Sequence, residues 1–200
     1  MQFSAHPWHG VPSHAKSPEL VTTFIEIVPT DTVKYEIDKH SGILMIDRPQ
    51  LYSNIIPSLY GFIPRTYCGT KIAALASSRT GVTITEGDHD PLDICVLTEK
   101  NISHGNILVH ARPIGGITLI DKGEADDKII AVLDKDHVYS QYTDIAQLPQ
   151  SVMKRIAHYF LTYKNLPDEP SVCTLSKSYG RDDAYKTILT AIEDYKDNFV

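Results

Sequence analysis

The stretch EGDHDPLDICVL, residues 86–97, sets Asp88, Asp90 and Asp93 within six positions, against a run of apolar strand formers. Carboxylates this close repel one another, and each resists burial. A cation among them relieves both costs, and an oxygen-only donor set selects a hard divalent ion, Mg2+ first. A second acidic group lies in IDKGEADDKIIAV, residues 120–132, where Asp121 and Asp126 flank Gly123. Lys128 stands two residues after Asp126, so an extended chain aims both to one face. Taken alone, this run fits a solvated loop between strands equally well. Lys34 and Glu36 share one face of a strand pattern, and Glu26 lies opposite Ile25 and Ile27. In isolation these three fit an exposed strand face. Arg48, Tyr60, Tyr163 and Lys164 are side chains of the kinds that hold phosphate oxygens, Arg as a fork, Lys as a point charge and Tyr as a neutral donor. Tyr163 also fits a core position at helical spacing.

The elements that must position these residues are mostly short strands. Residues 21–28 are rich in β formers. Residues 33–38 alternate, with Val33, Tyr35 and Ile37 on one face, and residues 43–48 alternate again, placing Leu44, Ile46 and Arg48 together. The link Lys39-His40-Ser41-Gly42 reads as a hairpin turn. Residues 92–97, 107–112, 117–120 and 129–133 continue the β pattern, broken by Gly and Pro. Helices come late. Pro149 suits a helix start, followed by Val152, Ile156, Tyr159 or Phe160, and Tyr163 at helical spacing. A last helix spans about residues 182–199, with Tyr185, Ile188, Leu189, Ile192 and Tyr195 as its stripe. Residues 73–81 read as a loop insertion upstream of the acidic motif, placed to cover it. Residues 1–18 read as an irregular arm, with His6, His9 and His14 at no defined metal spacing. Many strands followed by two helices predict an α+β fold, a small β-barrel with packed C-terminal helices.

The chain of 200 residues suits a single domain with an ample core. Its net charge of −6 argues against a general nucleic-acid or anionic-membrane binder, both of which need a cationic face. An anionic substrate stays open, because bound metal reverses the local sign. Cys68, Cys95 and Cys173 are widely spaced, which suits thiols in a reducing cytosol. No secretory signal and no stretch of membrane-spanning length are visible, so a cytoplasmic protein is expected.

Asp88-His89-Asp90-Pro91-Leu92-Asp93 resembles the D-x-D-P-apolar-D signature of the soluble, family I inorganic pyrophosphatases, and the details look most like a bacterial member. The resemblance covers residues 22–166 in collinear blocks: FIEIVPTDTVKYEIDKHSGILMIDR, NIIPSLYGFIP, the acidic motif, IDKGEADDKIIAV and AHYFLTYKNL. It implies a closed, OB-like barrel and hydrolysis of pyrophosphate by direct attack of a metal-bridged water. It implies Asp90 as general base, with Asp88, Asp93, Asp121, Asp126 and Glu36 as metal ligands. Lys34, Arg48, Lys128, Tyr163 and Lys164 would bind phosphate, and Glu26 and Tyr60 would support the site. It further implies about three to four Mg2+ per site, some arriving with substrate, and a homo-oligomer, a hexamer in preference to a dimer. Carboxylates outnumber cations in this set, so the metal-free site is about three charges negative and attracts Mg2+ before pyrophosphate. His89 departs from the small or polar residue usual between the first two aspartates. An extended chain there would point it away from the metals.

Other readings remain at this level. A haloacid dehalogenase-type phosphotransferase also uses DxD, but after an early strand of a parallel α/β sheet. An Asp-His-His phosphoesterase needs a second His where Asp90 stands. A β-barrel binding single-stranded nucleic acid needs a basic stripe with exposed aromatics. A Ca2+-binding helix-loop-helix needs a ligand at its fifth position and Gly at its sixth, and the acidic motif lacks both.

Overall fold

A computed structural model describes residues 5–51, 54–164 and 173–200. The first four residues of the expected arm, and residues 165–166 of the last matching block, lie outside the described residues. Strands β1 (Val21–Ile27), β2 (Val33–Ile37), β3 (Leu44–Pro49) and β4 (Leu59–Phe62) precede helix α1 (Thr70–Thr80). Strands β5 (Asp93–Leu97), β6 (Ile107–Asp121) and β7 (Glu124–Leu133) follow, then α2 (Gln150–Thr162), β8 (Cys173–Gly180) and α3 (Arg181–Phe199). The result is an α+β architecture built on a mixed sheet.

The sheet order is β1-β4-β5-β7-β6-β8, and β1 also pairs with β6. The pairings β1–β4–β5–β7–β6 therefore return to β1. One strand makes this return possible. The Gly and Pro that suggested two short strands at 107–112 and 117–120 instead form a bulge between Pro113 and Gly115 inside one 15-residue β6. A bulge bends its strand and strengthens the local twist. The first half of β6 then pairs with β1, its second half with β8, and β7 runs along both. Between β1 and β4 the backbones approach so closely that a Cβ at Gly61 would fall 1.9 Å from the Phe24 carbonyl oxygen.

Residues 73–81 are not a loop. They belong to α1, which buries Ile72, Ala73 and Ala76 in the core with Ile188 and Ala191 of α3, and Gly81 ends the helix in the left-handed region. The segment braces the sheet and does not form a cover over the acidic motif. Asp194 on α3 caps α1, accepting from the backbone N–H groups of Gly69 at 3.0 Å, Lys71 at 3.2 Å and Ile72 at 3.0 Å. The buried face of α3 is also rotated from the expected stripe. Ala184, Thr187, Ile188, Ala191, Asp194 and Tyr195 are buried, whereas Leu189 is exposed. Small residues win this face because α3 packs against both α1 and β6.

Two more elements escape the sequence pattern, β4 and the polar β8. The arm is anchored at least by Trp8, which is buried against Phe24, Ile37, Phe62 and Tyr195 and donates its indole N–H to the Thr66 carbonyl at 2.8 Å. Among the described residues no helix is long and apolar enough to cross a membrane.

Candidate active site

Parallel pairing of β5 with β7 places Asp93 opposite Lys128. Alternation along β7 sends Asp126 to the same face as Lys128. It sends Asp127 to the other face, where Arg79, Thr118 and Tyr179 bond its carboxylate. The β6–β7 connection turns through Lys122 and Gly123, both at positive φ, the backbone of a tight hairpin. That turn brings Asp121 level with Glu124.

The loop carrying Asp88 is laid against β7 by a bridge between Gly87 and Ala125. Gly87 is required there, because a Cβ would sit 2.2 Å from the Cys68 carbonyl oxygen. The Asp88 carboxylate accepts the Asp90 N–H at 3.1 Å, a local Asx turn. Asp88, Asp93 and Asp126 consequently present carboxylate oxygens within 4.8 Å of one another. Lys128 bonds both Asp93 and Asp126, and Tyr60 donates to Asp93 at 2.5 Å. Lys164 pairs with Asp121.

One cleft of about 210 Å³ is lined by Lys34, Tyr60, Asp88, Asp90, Asp93, Asp121, Glu124, Asp126, Lys128, Tyr163 and Lys164. A smaller adjoining one, about 60 Å³, is lined by Glu26, Lys34, Glu36, Lys39, Tyr60, Asp90 and Asp93 among others. Thus the expected site residues converge, with Arg48 at the margin, 5.6 Å from the Tyr163 ring centre. Arg48 reaches this side through a bulge. The register passes from Lys34↔Arg48 to Tyr35↔Ile46, leaving Asp47 unmatched. Arg48 therefore shares a face with Lys34 and not with Leu44 and Ile46, as simple alternation had placed it. Asp47 turns the same way, bonding Lys34 at 2.9 Å and Arg48 at 2.6 Å. Glu26 is not on an exposed face. It is buried and accepts the Ile37 N–H at 2.9 Å, tying β1 to the β2–β3 hairpin.

Crowding shows in the titration behaviour. Burial, and then the charge of Asp126, pushes the Asp88 carboxyl well above the usual range. Burial pushes Asp93 up as well, with Asp126 adding to it and Lys128 opposing. Asp126 suffers the same burial, but Lys128 holds it below the usual value. Glu26 is pushed up to about 8 by burial, then by Asp93. Burial and the neighbouring Asp93 raise Tyr60 well above its ordinary value, which keeps it a neutral donor. Four crowded carboxyls with so few protein cations fit a divalent-ion site, and the all-oxygen donors suit a hard ion.

His89 sits in the left-handed region at φ 61, not in an extended conformation. Its ring still leaves the carboxylate cluster, with Nδ1 2.7 Å from the Tyr67 hydroxyl and Nε2 3.4 Å from Glu86. Sequence reasoning missed two cleft residues. Glu124 followed from the Asp121–Asp126 spacing around a two-residue turn. Lys39 lay in a turn, and only the fold brings its ammonium to Asp90.

Residues 23–196 match the family model described as inorganic pyrophosphatase. The chain is 50% identical over 199 residues to the inorganic pyrophosphatase of Chlamydia caviae, covering 97% of this chain and 92% of that one. It is 41% identical over 162 residues to a soluble inorganic pyrophosphatase of Solanum tuberosum, covering 80% and 67%. The crystal structure of the inorganic pyrophosphatase from Thermus thermophilus aligns over 96% of this chain and 99% of that one, with a TM-score of 0.81 at 28% identity. By these matches, and with its acidic signature set into the sheet as described, the chain belongs to the inorganic pyrophosphatase family.

Proposed function

We propose that this chain is a single-domain, Mg2+-dependent inorganic diphosphatase that hydrolyses pyrophosphate to two phosphates. The observation that carries the reading is the convergence of Asp88, Asp93 and Asp126 within 4.8 Å, in the cleft that also holds Asp90 and three lysines. Asp88, Asp93, Asp121, Asp126 and Glu36 would hold the ions, about three to four per site by family likeness. Bound there, they supply Lewis acidity, cancelling phosphate charge and acidifying water.

The protein's own groups do the rest. Asp90 accepts the proton of the attacking water. The water oxygen bonds to phosphorus, the bridging P–O bond breaks, and its electron pair leaves with the second phosphate. Lys34, Arg48, Lys128 and Lys164 neutralise phosphate oxygens, and Tyr163 donates to them without adding charge. Tyr60 orients Asp93, and Glu26 fixes the hairpin that carries Lys34 and Glu36. No covalent phospho-enzyme is required. A haloacid dehalogenase-type mechanism has no support here, since Asp88 comes after four strands and leads into β5 of a mostly antiparallel sheet.

The returning strand pairings support a closed, OB-like barrel. The family likeness supports a homo-oligomer, hexameric in preference to dimeric, acting in the cytoplasm on pyrophosphate without nucleic-acid or membrane partners. The role of Asp90 is tested with Asp90→Asn. Turnover falls by about 10²–10⁴-fold while Mg2+ binding, followed by calorimetry, stays close to wild type. A collapse of Mg2+ affinity would make Asp90 a ligand instead of the base.

A further inference from the structure

Among the described residues, the cation that pairs with Asp90 is Lys39. Four other cleft carboxylates have lysine partners of their own: Lys128 for Asp93 and Asp126, Lys164 for Asp121, Lys34 for Glu36. Lys39 lies two residues past the end of β2 and opens the turn to β3, the hairpin that delivers Lys34 and Glu36. That turn is built stiffly. Asp38 accepts from both the backbone N–H and the hydroxyl of Ser41 at 2.7 Å, and the Gly42 N–H returns to the Asp38 carbonyl at 2.8 Å. The N-terminal arm braces the same point, with His6 Nε2 3.2 Å from the Lys39 carbonyl oxygen. A Cβ at Gly42 would meet Pro7 at 2.6 Å, so arm and turn are packed together.

We propose that Lys39 is a positioning residue for Asp90, holding its carboxylate toward the cleft in the orientation that accepts a proton from the attacking water. The inference rests on the assignment of Asp90 as general base. Both side chains keep substantial contact with solvent, 50% and 37% exposed, so the pair adds little stability. Its effect is on orientation, where small displacements of a reacting group cost large factors in rate. The stiff turn and the braced arm hold the lysine backbone still enough for this purpose.

The test is a double-mutant cycle on the Mg2+-saturated enzyme with pyrophosphate. Lys39→Met lowers kcat about 10–100-fold with KM changed less than about threefold, and Lys39→Arg recovers most of the loss. In an Asp90→Asn background, Lys39→Met changes kcat by less than about threefold, because the group it positions is already disabled. Three results overturn the role of Lys39: unchanged kcat in Lys39→Met, a loss expressed mainly in KM, or a loss that persists undiminished in the Asp90→Asn background. Wild-type turnover in Asp90→Asn alone would instead overturn the base assignment beneath it. Because Lys39 is half-exposed in a surface turn, circular dichroism of Lys39→Met matches wild type. A variant that unfolds contradicts the purely positional role, and Lys39→Arg then measures it.

Discussion

Asp93 and Lys128 stand opposite one another on the parallel strands β5 and β7, and the lysine ammonium pairs with the Asp93 carboxylate while also bonding Asp126. Strand register thereby sets a buried cation between two of the three clustered carboxylates. Lys128 is kept protonated although burial opposes it, because Asp126 and Asp93 favour its charged form. Without metal, it offsets much of the repulsion in the cluster.

Removing this ammonium leaves buried carboxylates uncompensated, an arrangement that costs about 3–5 kcal/mol. Lys128→Met should lower the melting temperature of the chelator-treated protein markedly. Millimolar Mg2+ should restore part of the loss, since a bound cation takes over the same charges. Equal destabilisation with and without Mg2+, followed by thermal unfolding, would contradict a shared role.

Glu26 gives the pH dependence. Its carboxyl rises from 4.5 to about 8 on folding, by burial and then by Asp93. Between those values the folded state binds more protons than the unfolded one, so this group makes stability fall as pH rises and level off above about 8. Glu26→Gln keeps an acceptor for the Ile37 N–H and removes the ionisation. Chelator-treated wild type should lose stability relative to Glu26→Gln between pH 5 and 8, by on the order of 3–5 kcal/mol. Denaturant titrations across that range read the difference, and parallel pH curves would refute the shift.

Asp194 is the side chain that caps α1, receiving three backbone N–H groups from a helix more than a hundred residues earlier. Asp194→Ala strands those buried donors and should cost about 2 kcal/mol. Below the melting transition, KM for pyrophosphate should stay within about twofold, because α1 lines neither cleft. A selective loss of activity without loss of stability would place α1 in the catalytic machinery.

That remote cap also explains what the sequence withheld. Residues 73–81 are mostly small and polar, α1 as a whole carries only Ile72, Ala73 and Ala76 toward the core, and its N-cap is supplied by α3, so no local signal marks the helix. Arg48 changed face because the bulge at Asp47 breaks a period-2 reading. Glu26 looked solvent-facing because alternation says which side a residue takes, not whether that side is covered. Asp88, Asp90 and Asp93 were legible because crowded carboxylates have few purposes other than holding a cation or moving a proton, whereas Asp121 and Asp126 stood out only through the family resemblance. Lys39 was not, because a lysine in a turn is ordinary until the fold brings Asp90 to it.

The central claim is metal-dependent hydrolysis of pyrophosphate, and phosphate release measures it directly. With millimolar Mg2+ near neutral pH, the purified protein should release phosphate from pyrophosphate rapidly. ATP and a phosphate monoester should be cleaved far more slowly, and excess chelator should abolish the pyrophosphate reaction. No release from pyrophosphate with Mg2+ present, or undiminished release under excess chelator, would contradict the account.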